Sequence, residues 1–319
     1  MNDRVVTLHS IEEASRRLAG IVHRTPILEN RHLNQLSGNR LFLKGEHLQK
    51  GGSFKYRGAE NAISQLSSTQ LKRGVITQSS GNHAQAVALA AARRGCPAQI
   101  VIPSNAPKPK IAAVRDYGAE ITFCAPVASE RVRVMQRLQT KLKATYIPPY
   151  DHPSIISGQG TIGLELIDQT HRLDVVVAPV GGGGLLSGIA SAIKALSPET
   201  RVYGAEPAGA DDAARSLEAG MQIPQSAPRT IADGLLTSLG DSTWPLIQRK
   251  VDGIQRVEEA EIVQSMIHVW QWTKQIIEPS AAVAIAAVLS APFREKYQNA
   301  SVAVVLSGGN VDLRALPWL

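Results

Sequence analysis

The chain has 319 residues, 44% of them apolar and 4% aromatic, and its 34 Lys plus Arg against 27 Asp plus Glu give a net charge of +7. That is enough apolar material for two domains or one large one. The basic residues are scattered and aromatics are few, which excludes a basic stripe or a base-stacking platform for nucleic acid and leaves mild attraction for anionic small molecules.

No stretch approaches ~18 uninterrupted apolar residues, and Met1-Asn2-Asp3-Arg4 runs into an amphipathic pattern without an apolar signal core. Cys96 and Cys124 are the only cysteines and have no metal-binding spacing. A cytoplasmic protein without membrane contact is expected.

In chain order, Ser10 and Glu13 form a capping box that predicts a helix to about Leu18, and Leu41 to Lys44 reads as a strand. The turn Gly51-Gly52-Ser53-Phe54-Lys55-Tyr56-Arg57-Gly58 follows, then a helix from Arg57 to Leu66. Strand Val75 to Thr77, loop Gln78 to His83 and helix Ala84 to Arg94 form one unit. Strand 99–102, helix 110–117, strand 120–123 and a charged helix 128–143 continue an alternation typical of βαβ construction. Ile147-Pro148-Pro149 reads as a crossing between domains. Beyond it come helix 158–168, strand 174–180, a run of four glycines and helix 185–196. Strand 201–205, a surface excursion over 216–230, helices 258–273 and 280–289, and strand 301–306 complete the pattern.

Three loops carry candidate chemistry. Lys55 sits in a glycine-flanked turn beside Phe54, where desolvation and the cation Arg57 would lower its pKa and make it a nucleophile. Gly181-Gly182-Gly183-Gly184 follows an apolar strand and opens a helix, an arrangement that lets backbone N–H groups wrap a phosphate. It is neither a Walker loop nor GxGxxG, although Glu206 at the next strand end imitates a ribose-binding acid and keeps a dinucleotide oxidoreductase as an alternative. Ser79-Ser80-Gly81-Asn82-His83 offers donors for a carboxylate at another helix start.

Ser-Phe-Lys, Ser-Ser-Gly-Asn-His, the tetraglycine loop and Ser307-Gly308-Gly309-Asn310 occur in that order. With them come Gly158-Gln159-Gly160-Thr161, Glu206-Pro207, Ala210-Asp211-Asp212, Ile231-Ala232-Asp233-Gly234 and Glu278-Pro279. Nearly end to end, the sequence resembles the fold type II pyridoxal-phosphate enzymes, specifically the serine/threonine dehydratase and serine racemase family. The resemblance implies a two-lobed α/β fold of open, mostly parallel twisted sheets flanked by helices. Residues 49–146 would form the small substrate-side lobe, and 1–48 with 147–319 the large cofactor-binding lobe. A homodimer is implied.

By the same resemblance Lys55 forms the Schiff base with pyridoxal 5'-phosphate and serves as the base. Ser80 would exchange a proton on the opposite face. Phe54, Asn82, Gly181, Gly182, Gly183, Gly184, Gly234, Glu278 and Ser307 would hold the cofactor, Asn82 at the ring hydroxyl and Ser307 at the pyridine nitrogen. A neutral hydroxyl at that nitrogen favours β-elimination. Ser79, Ser80, Asn82 and His83 would bind the substrate α-carboxylate. Glu206, Asp212 and the carbonyl of Ala210 would hold Mg²⁺, Ca²⁺ or Mn²⁺.

Arg131 stands where hydroxyaspartate- and serine-specific relatives carry an arginine, so it would pair with a second carboxylate. L-threo-3-hydroxyaspartate, converted to oxaloacetate and ammonia, is the expected substrate, with serine secondary. A serine/threonine dehydratase, a serine or aspartate racemase and a non-catalytic ligand-binding protein are the alternatives. Gly52, Ala84 and His47 depart from the family's usual Thr, Gly and Asn or Leu. The chain ends near the last strand, so no isoleucine-sensing domain is expected.

Overall fold

The structure, a computed structural model, describes residues 6–319 apart from Ser80 and Pro107, and leaves the side chains of Pro109 and Ala128 undescribed. Among the described residues ten strands appear in chain order: β1 (Ile27–Leu28), β2 (Arg40–Lys44), β3 (Val75–Gln78), β4 (Ala98–Pro103), β5 (Glu120–Cys124), β6 (Thr145–Tyr146), β7 (Val175–Pro179), β8 (Arg201–Pro207), β9 (Gly253–Val257) and β10 (Ser301–Val305). They form two sheets, β1-β2-β10-β7-β8-β9 and β5-β4-β3-β6. Among the described residues every strand pairing is parallel except β1 with β2.

Strand periodicity explains why the larger sheet is covered on both faces. Val175 and Val177 point into one apolar cluster with Val302, Val304 and the helix Pro279–Leu289, while Val176, Ala178, Ala303 and Val305 point into another with Ile189 and Ile193. Such strands read as continuous apolar runs because neither face meets water. The smaller sheet repeats the arrangement. Val75, Ile100 and Ile102 pack with Ala59, Ile63 and Val87 on one face, and Ile76 and Val101 with Val134 and Met135 on the other.

Several local expectations are corrected. The first helix is Leu8–Leu18, and its capping box joins Thr7 to Ser10, because Thr7 is the residue with extended backbone and a free hydroxyl. Glu13 lies inside the helix, 3.7 Å from Arg17 one turn on. The helix placed at 158–168 begins at Pro153, with His152 as its cap, since proline suits the first turn. Part of the supposed excursion over 216–230 belongs to the helix Asp212–Ala219. The edge strand β9 carries no strong apolar alternation and was missed, although it pairs with β8 over five residues. Among the described residues no helix is long and apolar enough to cross a membrane.

Candidate functional site

The lysine turn is built from the end of β2. Two short 3-10 turns, Glu46–Leu48 and Lys50–Gly52, reverse the chain, and Gly52 takes a φ of +71° that a side chain would strain. The turn is stitched to the loop after β10: Phe54 N–H donates to the Ser307 carbonyl at 3.0 Å and Gly309 N–H to the Gly52 carbonyl at 3.0 Å. Lys55 then opens the helix Lys55–Ile63.

The Lys55 ammonium donates to the carbonyl of Pro149 at 2.7 Å and sits 5.1 Å from the centre of the Phe54 ring. Burial pushes it down to about 8, against the opposing pull of the Glu278 charge. Arg57 has no part in this, contrary to the expectation from sequence. Its guanidinium is fully buried and paired with Glu46 at 2.8 Å and Glu165 at 2.6 Å, and Glu165 also holds Lys44 at 2.5 Å. A cation neutralised that closely has little field left for a lysine.

The glycine run connects β7 to the helix Gly184–Leu196. Gly183 has a φ of +87°. A Cβ at Gly182 would run into the Tyr150 ring, and one at Gly181 would come within 3.0 Å of the Leu235 backbone. The loop is therefore a cradle that side chains would fill. Among the described residues the N–H groups of Gly181, Gly182 and Gly183 have no hydrogen-bond acceptor, although all three residues are buried. Buried unpaired donors at a helix start are costly unless an anion takes them, so these residues fit the phosphate of the implied cofactor. Gly234 adjoins this cradle, its N–H held by the Ser280 hydroxyl at 2.9 Å.

Asn82 opens the helix Asn82–Arg93 at the end of β3. Its Nδ2 donates to Glu278 Oε1 at 2.7 Å, and its Oδ1 accepts from Asn310 Nδ2 at 2.9 Å. Burial, helped by the Asp233 charge, raises the Glu278 carboxyl to about 8. Ser307 is buried in the loop that faces this pair. Ser79 Oγ accepts the Gly81 N–H at 3.3 Å, and Ser80 lies outside the described residues. The His83 ring is buried against the Ile147 carbonyl at 2.9 Å, and burial together with the Lys55 charge pushes it down to about 3. It is neutral at ordinary pH and its side chain is committed, so any contact from this residue to a substrate comes from the backbone.

On the helix Ala128–Leu142, Arg133 faces solvent and pairs with Glu130 at 2.7 Å. Arg131 faces inward. Its Nε is buried without a hydrogen-bond partner, and among the described residues it forms no ion pair. Gln78 Oε1 is likewise buried and unpaired. Both lie by Tyr146, whose phenol burial raises while the Gln78 side chain and the Arg131 charge pull it back.

Glu206 accepts N–H bonds from Ala213 and Ala214 at 3.1 and 2.9 Å, and Asp212 accepts one from Leu239 at 3.1 Å. Asp212 Oδ1 is buried and unpaired. Burial raises Glu206 to about 8 and Asp212 to about 6, each carboxylate opposing the charge of others nearby. Among the described residues no three His, Cys, Asp or Glu side chains converge. The two carboxyls and the buried Ala210 fit a hard cation only if backbone carbonyl and water complete the shell.

Tyr150 and Asn310 are given no role by the sequence reading. Tyr150 follows the Pro-Pro crossing, and Asn310 ends a motif whose serine drew the attention. Of the three departures from the family pattern, His47 is buried with its Nε2 2.9 Å from Gln275 Oε1, and Ala84 is buried inside its helix.

The sequence pattern of the family described as pyridoxal-phosphate dependent enzyme matches residues 18–308. A serine racemase of Arabidopsis thaliana is 46% identical over 310 residues, covering 96% of this chain and 94% of that protein. A beta-hydroxyaspartate dehydratase of Paracoccus denitrificans is 44% identical over 314 residues, covering 98% of this chain and 99% of its own length. Among solved structures, that of maize serine racemase superposes with a TM-score of 0.95 at 44% identity, over 97% of this chain and 95% of that one.

Proposed function

Since this chain belongs to the pyridoxal-phosphate-dependent enzymes, we propose that it is a dehydratase of β-hydroxy amino acids, best on L-threo-3-hydroxyaspartate, which it converts to oxaloacetate and ammonia. When bound, the cofactor supplies an electron sink for the pair left at the substrate α-carbon. The chain supplies the rest. The N–H groups of Gly181, Gly182 and Gly183 would hold the cofactor's phosphate, Phe54 would pack on its ring, and Asn82 and Ser307 would meet the ring oxygen and the ring nitrogen. Lys55 would hold the cofactor, and its neutral amine would take the α-proton of the substrate. The β-hydroxyl leaves as water, and the released enamine hydrolyses to the keto acid and ammonia.

The observation that carries the substrate choice is Arg131, an inward-facing cation with a buried, unpaired Nε. A guanidinium so placed is stabilised by a planar carboxylate, and the Ser79 to His83 loop is already suited to the α-carboxylate. The name of the Paracoccus relative, a beta-hydroxyaspartate dehydratase, supports a hydroxyaspartate substrate. Residues 49–146 are read as the substrate-side lobe. Glu206, Asp212 and the Ala210 carbonyl would hold Mg²⁺, Ca²⁺ or Mn²⁺, whose charge would offset the two buried carboxyls. The test is to assay the cofactor-loaded enzyme for oxaloacetate and ammonia from hydroxyaspartate, serine and threonine. Preference for hydroxyaspartate supports the reading, and preference for threonine overturns the substrate while leaving the class.

The racemase relatives support a second reading, in which a proton returns to the opposite face of the α-carbon. Chiral chromatography of residual substrate separates it from elimination.

A further inference from the structure

Asn310 lies in the loop after β10, where its Nδ2 stands 2.8 Å from the Gly51 carbonyl oxygen and 2.9 Å from the Asn82 side chain. A backbone carbonyl only accepts, so the Asn310 atom that faces Gly51 has to be nitrogen. The same nitrogen faces Asn82. Asn82 must therefore turn its oxygen toward Asn310, which leaves its nitrogen toward Glu278 Oε1 at 2.7 Å. The orientation of an amide whose two ends look alike is thus settled by one main-chain oxygen two residues removed along the hydrogen-bond chain.

We propose that Asn310 is a positioning residue for the cofactor: from the loop after β10 it holds the Asn82 carboxamide in the one orientation that keeps a second Nδ2 hydrogen free for the ring oxygen. The proposal rests on the cofactor reading above, in which Asn82 meets that oxygen.

The surroundings form a seat for this arrangement. A Cβ at Gly52 would collide with Asn310 Oδ1, so the glycine that departs from the family's usual threonine makes room for the asparagine. At the other end a Cβ at Gly308 would lie 2.5 Å from Glu278 Oε1 and 3.1 Å from Asn82 Nδ2. Glu278 thus takes the far end of a chain of hydrogen bonds that runs from the Gly51 carbonyl through the Asn310 and Asn82 side chains. A carboxyl keeps an accepting oxygen whether ionised or neutral, so this chain does not depend on the Glu278 proton.

The chain of hydrogen bonds also joins the two sheets. Asn82 belongs to a helix packed on the smaller sheet, whereas Asn310 and Glu278 flank elements of the larger one. The loop that carries Asn310 is the one stitched to the lysine turn, so one segment sets both Lys55 and Asn82.

The test uses Asn310→Asp, Asn310→Ala, Asn82→Ala and the two double variants. Apoprotein is titrated with pyridoxal phosphate by tryptophan fluorescence, and the wavelength and pH midpoint of the visible band are recorded on the loaded enzyme. A carboxylate cannot donate to Gly51 and draws the Asn82 nitrogen toward itself, turning the amide over. Asn310→Asp is expected to weaken cofactor binding about tenfold and move the band, with Asn310→Ala smaller in both. In the Asn82→Ala background neither change at Asn310 adds more than about twofold, because its effect runs through Asn82. The proposal is overturned if Asn310→Asp leaves affinity and band unaltered, or if it costs the same in both backgrounds. Melting of the apoproteins identifies the latter outcome as a general loss of stability. A wild type that takes up no cofactor would instead refute the cofactor reading.

Discussion

Lys55 Nζ donates to the carbonyl of Pro149 at 2.7 Å, and this contact ties the lysine turn to the segment that crosses between the two sheets. The next residue, Tyr150, lays its ring against Gly182, and Asp151 accepts the N–H of Ser242 at 2.7 Å. Three consecutive residues thus touch the lysine, the glycine loop and the turn behind it. A shift in this segment would be felt at all three.

Burial holds the Lys55 amine near 8, below the ordinary lysine value of 10.5, so the neutral nucleophilic form accumulates as pH rises through 8. The rate at which apoprotein develops a borohydride-quenchable visible band should follow that midpoint. Lys55→Ala should give no such band and no ammonia release without added amine. A midpoint close to 10 would mean that the amine is solvated.

Gly182→Ala places a methyl group where the Tyr150 ring now lies. Overpacking of this kind costs about 1–3 kcal/mol, here taken largely from phosphate binding. Cofactor affinity should fall, and Tyr150→Ala should restore part of it in the double variant. No restoration would show that the glycine acts through its backbone alone.

Arg57 and Glu46 are both completely buried and 2.8 Å apart. Arg57→Ala leaves Glu46 fully buried without its paired cation, while Lys44 still holds Glu165, a change expected to cost about 3–5 kcal/mol of stability. Denaturant unfolding of the apoprotein measures it. A loss below about 1 kcal/mol would mean that water solvates the cluster.

If Glu206, Asp212 and the Ala210 carbonyl hold a divalent cation, chelation should lower the melting temperature and added Mg²⁺ or Ca²⁺ should restore it. Asp212→Asn should abolish that response. Unchanged melting after chelation would remove the cation from the account.

The sequence made the alternation of strand and helix legible because Val175 to Pro179 and Ser301 to Val305 are covered on both faces and read as apolar runs. β9 was not legible for the opposite reason: at the sheet edge, Gly253 to Gln255 are only partly buried and Arg256 is exposed. Lys55, Asn82 and the glycine run stood out because few residue types can take the roles proposed for them. Pro149 and Asn310 did not, since one contributes a carbonyl that any residue has and the other acts through a neighbour. Arg57 was misread because a cation two positions along a helix points away from the lysine, toward partners at positions 46 and 165.

The central claim is that Arg131 reads a second carboxylate, and comparing kcat/KM for L-threo-3-hydroxyaspartate and serine in wild type and Arg131→Ala tests it directly. Loss of a charge-assisted contact in a closed site should cost hydroxyaspartate about 2 kcal/mol more than serine, close to a thirtyfold change in their ratio. Equal losses on both substrates, or an unaltered ratio, would contradict the account.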